Sequence, residues 1–137
     1  MPNPLILCAD DTPGYLLLWK KLLEEKGFRV LTACDGTEAL EIFLSYPVDL
    51  ALLDYHMREM NGDKVAEEMR ARKPDVPIAL LSADDCVPES ALAAVDAFVS
   101  KSESATHLLE IVSHLLSLRH LFQPLSGLSP SDRRKTA

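Results

Sequence analysis

Five short apolar runs, separated by longer stretches of helical period, constrain this chain more than any other feature. Leu5 to Ala9, Arg29 to Ala33, Leu50 to Leu53, Ile78 to Leu81 and Ala97 to Ser100 are each four or five residues long and rich in Leu, Val, Ile or Phe. That is a natural strand length, and such near-continuous apolar strands belong to a sheet buried on both faces. Strand and helix in strict alternation demand crossover connections. The expected fold is therefore α/β: a five-stranded parallel, doubly wound sheet with helices on both faces, a (βα)5 three-layer sandwich.

The intervening segments carry the helical signal. Pro13 to Lys26 puts Leu16, Trp19, Leu22 and Leu23 on one face, with Thr12 available as N-cap, Pro13 suited to the first turn and Gly27 as a stop. Thr37 to Ser45 repeats the pattern through Ala39, Leu40 and Phe43, and Lys64 to Arg72 through Val65 and Met69 before Pro74. Pro88 to Val95 is shorter. The last helix, about Ser104 to Leu118, directs Leu108, Ile111, Val112 and Leu115 inward and leaves Glu110 and Ser113 for solvent. Beyond Phe122 the chain reads QPLSGLSPSDRRKTA, where Pro, Ser and Gly replace the apolar period. The expectation is one domain over residues 1–122, then a disordered tail or the start of a linker over 123–137.

Bulk properties narrow the function. A length of 137 residues suits one domain, and 47% hydrophobic with 26% charged residues is a globular composition. A formal charge of −7 argues against direct nucleic-acid binding, which rests on surplus Lys and Arg. Cys8, Cys34 and Cys86 are odd in number and widely spaced, so they read as reduced, packed thiols rather than a disulfide framework or metal knuckle. The N-terminus lacks a basic region, and no apolar stretch approaches a membrane span. These features predict a cytoplasmic protein with no membrane association.

In an open parallel sheet, ligands bind outside the carboxyl ends of the strands. Asp10 and Asp11 follow the first run, Asp54 ends the third, Ser82 ends the fourth and Lys101 follows the fifth. All five should meet on one rim. Three carboxylates crowded there repel one another unless a cation joins them, and an all-oxygen site suits Mg²⁺. Lys101 and Ser82 shape the same pocket to receive an anion, and a phosphoryl group fits. By contrast, His107, His114 and His120 lack the i, i+4 pairing of a zinc site and read as surface residues.

The segments LILCADD, DLALLDYHMREMNG, IALLSA and AFVSK resemble, in order, the motifs of the response-regulator receiver family of two-component signalling. The resemblance implies a flavodoxin-like fold and a phosphoacceptor switch. Asp54 would accept a phosphoryl group from a sensor histidine kinase or phosphotransfer protein. Asp11 and Asp54 would ligate Mg²⁺ directly, Asp10 would support it through water, and the main-chain carbonyl of His56 would be a further ligand. Ser82 and Lys101 would hold the phosphoryl oxygens, and Phe98 would be the aromatic whose rotamer reports the switch. The chain would catalyse only its own phosphorylation and dephosphorylation, and would control a downstream effector protein or domain; a homodimer is allowed. Asp84, two residues beyond Ser82, would affect access of water.

Several positions depart from the family pattern. Arg58 and Ser102 stand where prolines are usual, the second after the active-site lysine, where the family's peptide bond is cis. The span from Ser82 to Lys101 is short by a few residues, which predicts a trimmed fourth helix. Phe98 lacks the hydroxyl of a tyrosine. These departures leave an alternative function: a receiver-like interaction module that signals without phosphate. An Asp-nucleophile phosphatase is disfavoured, because DYHM lacks the second Asp of the DxDx(T/V) pattern.

Overall fold

The computed structural model describes residues 3–84 and 87–122. The tail expected over 123–137, and Cys86, lie outside the described residues. Elements alternate as β1 (Leu5–Ala9), α1 (Pro13–Glu25), β2 (Arg29–Ala33), α2 (Gly36–Ser45), β3 (Leu50–Asp54), α3 (Gly62–Arg72), β4 (Ile78–Ser82), α4 (Glu89–Ala93), β5 (Ala97–Ser100) and α5 (Ala105–Phe122). The strands form one parallel sheet in the order β2-β1-β3-β4-β5. The expected doubly wound sandwich is what forms.

Because successive strand residues point to opposite faces, each strand serves two cores. Leu5, Leu7, Ala9, Leu53, Ile78 and Leu80 pack under α2, α3 and α4 through Phe43, Val65, Met69 and Ala91. Ile6, Cys8, Leu50, Leu52 and Leu81 pack under α1 and α5 through Leu16, Trp19, Leu23, Leu108, Val112 and Leu115. Burial on both faces explains why the strands read as continuous apolar runs. The α4 helix has five residues, shorter still than the Pro88 to Val95 expected.

Two local expectations need correction. Thr12 is the N-cap residue of α1 as expected, but its side chain makes no capping bond; its own N–H donates to Asp10 Oδ1 at 2.9 Å, so the loop after β1 is tied to the rim. The cysteines are not all packed. Cys8 is buried, and burial, followed by the charge of Asp10, pushes its thiol far above the usual range, which makes it inert. Cys34 is exposed, because β2 has ended at Ala33 and the chain has left the sandwich.

Candidate functional site

The strand order reverses between β1 and β3, and this is the topological switch point at which such sheets bind ligands. Asp10 follows β1 and Asp54 closes β3, so the two carboxylates flank that crevice. One oxygen each from Asp10, Asp11 and Asp54 lies within 4.8 Å of the others. Asp10 and Asp54 are buried and Asp11 is half-buried. From the far side of β3, Lys101 brings its ammonium to 2.7 Å from Asp10 Oδ2 and 3.1 Å from Asp54 Oδ1, with only 6% of its side chain exposed. Its backbone N–H donates to the Ser82 carbonyl, which joins the loop after β5 to the end of β4.

The Ser102 departure does not turn the lysine away. None of the described peptide bonds is cis, and Lys101 nevertheless reaches both carboxylates. The loop carrying Arg58 contains a tight turn. Met60 N–H donates to the Arg58 carbonyl across Glu59, a three-residue turn with Glu59 held at φ 71°, in the left-handed region.

The charges do not balance. Burial first, and the Asp10 charge second, push Asp54 up to about 6; Lys101 pulls it back, and Asp11 adds to the push. Burial acts to lower Lys101, but its hydrogen bonds and charge attractions to Asp10 and Asp54 prevail and raise it. One lysine thus pairs with two of three clustered carboxylates, and the site keeps room for more positive charge. Oxygen ligands around an ion at about 2.0–2.1 Å stand about 3 to 4 Å apart, so the cluster fits a small divalent cation after a slight contraction.

Ser82 is buried at the end of β4, and its Oγ accepts the Asp84 N–H at 3.0 Å. Asp84 Oδ2 lies 3.3 Å from His56 Nε2, a bridge between exposed side chains of the loops after β3 and β4. The His56 side chain thus faces solvent, as expected. Phe98 is half-buried on the α3 and α4 side of β5, packed against that core. Among the other histidines, His114 is exposed and His107 is half-buried.

Neither Gly62 nor Tyr15 stands out as a site residue from the sequence alone. A Cβ on Gly62 would lie 2.3 Å from the Asp54 carbonyl oxygen, so α3 can begin against β3 only with glycine at that position. The signal was the Asn61-Gly62 pair immediately after the loop. Tyr15, in the first turn of α1, lies under the Lys101 ammonium, 4.0 Å from ring centroid to Nζ. No periodicity argument singles out such a residue.

An open parallel sheet with paired acids, a lysine and a hydroxyl at its switch point defines a class of small α/β anion-binding switches. Within that class the chain belongs to the response regulator receiver domain family, whose model matches residues 6–113. The transcriptional regulatory protein GlrR of Escherichia coli is 31% identical over 114 residues, covering 81% of this chain and 26% of GlrR. The chain therefore spans about a quarter of that relative's length. The crystal structure of the response regulator TrrA from Thermotoga maritima in complex with Mg²⁺-BeF is 38% identical, with a TM-score of 0.78 over 82% of this chain and 98% of that one. TrrA in complex with the histidine kinase ThkA matches at 39% identity and a TM-score of 0.76, over the same shares. Receiver domains are parts of signalling proteins in two-component systems rather than conventional enzymes, and this chain is one.

Proposed function

We propose that this receiver accepts a phosphoryl group on Asp54 from a histidine kinase or phosphotransfer protein, with Mg²⁺ bound beside it. The observation that carries the reading is the convergence of Asp10, Asp11, Asp54 and Lys101 at the switch point, with more negative than positive charge. Asp11, Asp54 and the His56 carbonyl would hold the ion, with Asp10 supporting it through water. Bound there, a divalent ion supplies charge neutralisation to the carboxylates and to the phosphoryl oxygens.

Transfer needs little from the protein beyond placement. The Asp54 oxygen attacks phosphorus in line as the bond from phosphorus to the donor imidazole nitrogen breaks. Lys101 neutralises charge on an equatorial oxygen. Ser82, whose Oγ already accepts from Asp84, still has its own hydrogen to donate to another. Drawing Ser82 towards the phosphoryl group would pull on Asp84 and through it on His56, moving both loops. Phe98, half-buried on β5, would repack in response. Hydrolysis of the acyl phosphate resets the switch, and Asp84, bridged to His56, would affect how water reaches it.

Residues 1–122 are the receiver in this reading, and 123–137 lead on as a tail or linker. The partners are a kinase on one side and an effector protein or domain on the other, with no direct nucleic-acid contact and with a homodimer as one available output. A cytoplasmic location accompanies that role. No described helix is long and apolar enough to cross a membrane.

The test is labelling by a small phosphodonor: wild type should label only with Mg²⁺, and Asp54→Asn not at all. An unlabelled wild type, or a labelled Asp54→Asn, would sink the reading. One observation favours the phosphate-independent alternative, namely that Lys101 already bridges Asp10 and Asp54. Partner binding indifferent to beryllofluoride and to Asp54→Ala would establish it.

A further inference from the structure

The Lys101 ammonium has a third neighbour that carries no charge. Its Nζ lies 4.0 Å from the centroid of the Tyr15 ring, on the opposite core face from Phe98. Tyr15 is the third residue of α1, so an element separate from β5 supplies this contact. The ring is itself held. Trp19, one turn further on, stacks against it with centroids 5.6 Å apart and planes 18° apart, and Trp19 is buried in the core beneath α1. The turn leading into Tyr15 is pinned by the Thr12 N–H on Asp10 Oδ1.

A cation is drawn to the face of an aromatic ring, and more strongly where water is excluded. Lys101 meets that condition, being almost wholly buried. Its two carboxylate partners are unreliable anchors, because Asp10 and Asp54 are the groups that a metal and a phosphoryl group would engage. The ring face binds neither of those. Resting on the phosphoacceptor reading above, we propose that Tyr15 is a positioning residue: its ring holds Lys101 over the pocket when Asp10 and Asp54 are committed elsewhere. The ring is what matters, and the hydroxyl takes no part.

Three variants and one spectroscopic signature test this on the whole chain. Tyr15→Leu should slow Mg²⁺-dependent labelling by about 3- to 30-fold, the range expected for a buried cation–π contact. Tyr15→Phe should restore most of the rate. Beryllofluoride affinity should fall with the labelling rate in Tyr15→Leu while Mg²⁺ affinity holds, because the lysine meets the anion and not the metal. In the NMR spectrum the ε-methylene protons of Lys101 should lie upfield, under the ring current, in wild type and Tyr15→Phe but not in Tyr15→Leu. The inference is overturned if Tyr15→Leu labels like wild type, if Tyr15→Phe loses as much as Tyr15→Leu, or if the wild-type ε-methylene shifts are ordinary. A matching loss of Mg²⁺ affinity would reveal a merely structural residue and overturn it as well. Asp54→Asn is the separate control: if it labels, or if wild type does not label although the ring-current shift is present, the phosphoacceptor reading falls and the positioning role with it.

Discussion

The two ends of the sheet use aspartate in opposite ways. At the amino end, Asp49 and Asp96 each precede a strand and complete its ladder. Asp49 N–H donates to the Leu5 carbonyl while its Oδ2 accepts from Leu5 N–H, and Asp96 does the same with Ile78. Each also meets an arginine, Arg119 at 2.9 Å and Arg70 at 2.6 Å. At the carboxyl end, Asp10 and Asp54 share one lysine, and the Asp11 carboxylate lies beside them. Carboxylates at the amino end are satisfied by the protein and tie strands together; those at the other end are left with more negative than positive charge. Chemistry resides where the charges are left uneven.

The strongest way to break that contrast is to compare stabilities in chelator. Asp54→Asn should raise the stability of the metal-free protein near neutral pH by up to about 3 kcal/mol, because it removes a carboxylate that burial and Asp10 disfavour. Asp49→Ala should lower it by about 1–3 kcal/mol, stranding Leu5 N–H and the Arg119 guanidinium. Urea unfolding of the two variants reads both signs. Gly62→Ala comes next: the added methyl meets the Asp54 carbonyl, so stability should fall by about 1–3 kcal/mol and labelling should slow as Asp54 shifts.

The pH dependence sharpens the comparison at a smaller scale. Asp54 titrates in the folded protein at about 6, above its ordinary 3.8, so its protonated form favours folding. That contribution is complete below about pH 4 and is lost as pH rises through 6, at no more than about 1.4 kcal/mol per pH unit. Wild type without metal should therefore fall behind Asp54→Asn across this window, and Mg²⁺ should close the gap. The smallest effect is Glu59→Gly, which relieves the left-handed residue of the loop after β3 and should add about 1 kcal/mol or less by thermal unfolding.

The fold was legible because it rests on apolar period alone. The strands coincide with the apolar runs, and β3 and β4 each end one residue beyond them, at Asp54 and Ser82 as expected. Both residues pair within the ladder, Asp54 opposite Leu81 and Ser82 opposite Ser100. The α2 and α3 helices start earlier than expected, at Gly36 and Gly62, since glycine discourages a helix in sequence yet is needed where a Cβ would strike Val65 or Asp54. The acidic rim could be foreseen from strand ends. The Tyr15–Lys101 contact and the cross-sheet arginine pairs could not, because they depend on which loops face each other across the sheet.

The central claim is most directly tested by titrating the metal-free protein with Mg²⁺ and following backbone amides. The account predicts shifts that begin at Asp10, Asp11, Asp54, His56 and Lys101, saturate at millimolar ion, and leave Asp49, Asp96 and Arg119 unmoved. Saturating Mg²⁺ with no response at the rim, or an equal response at both ends of the sheet, would contradict it.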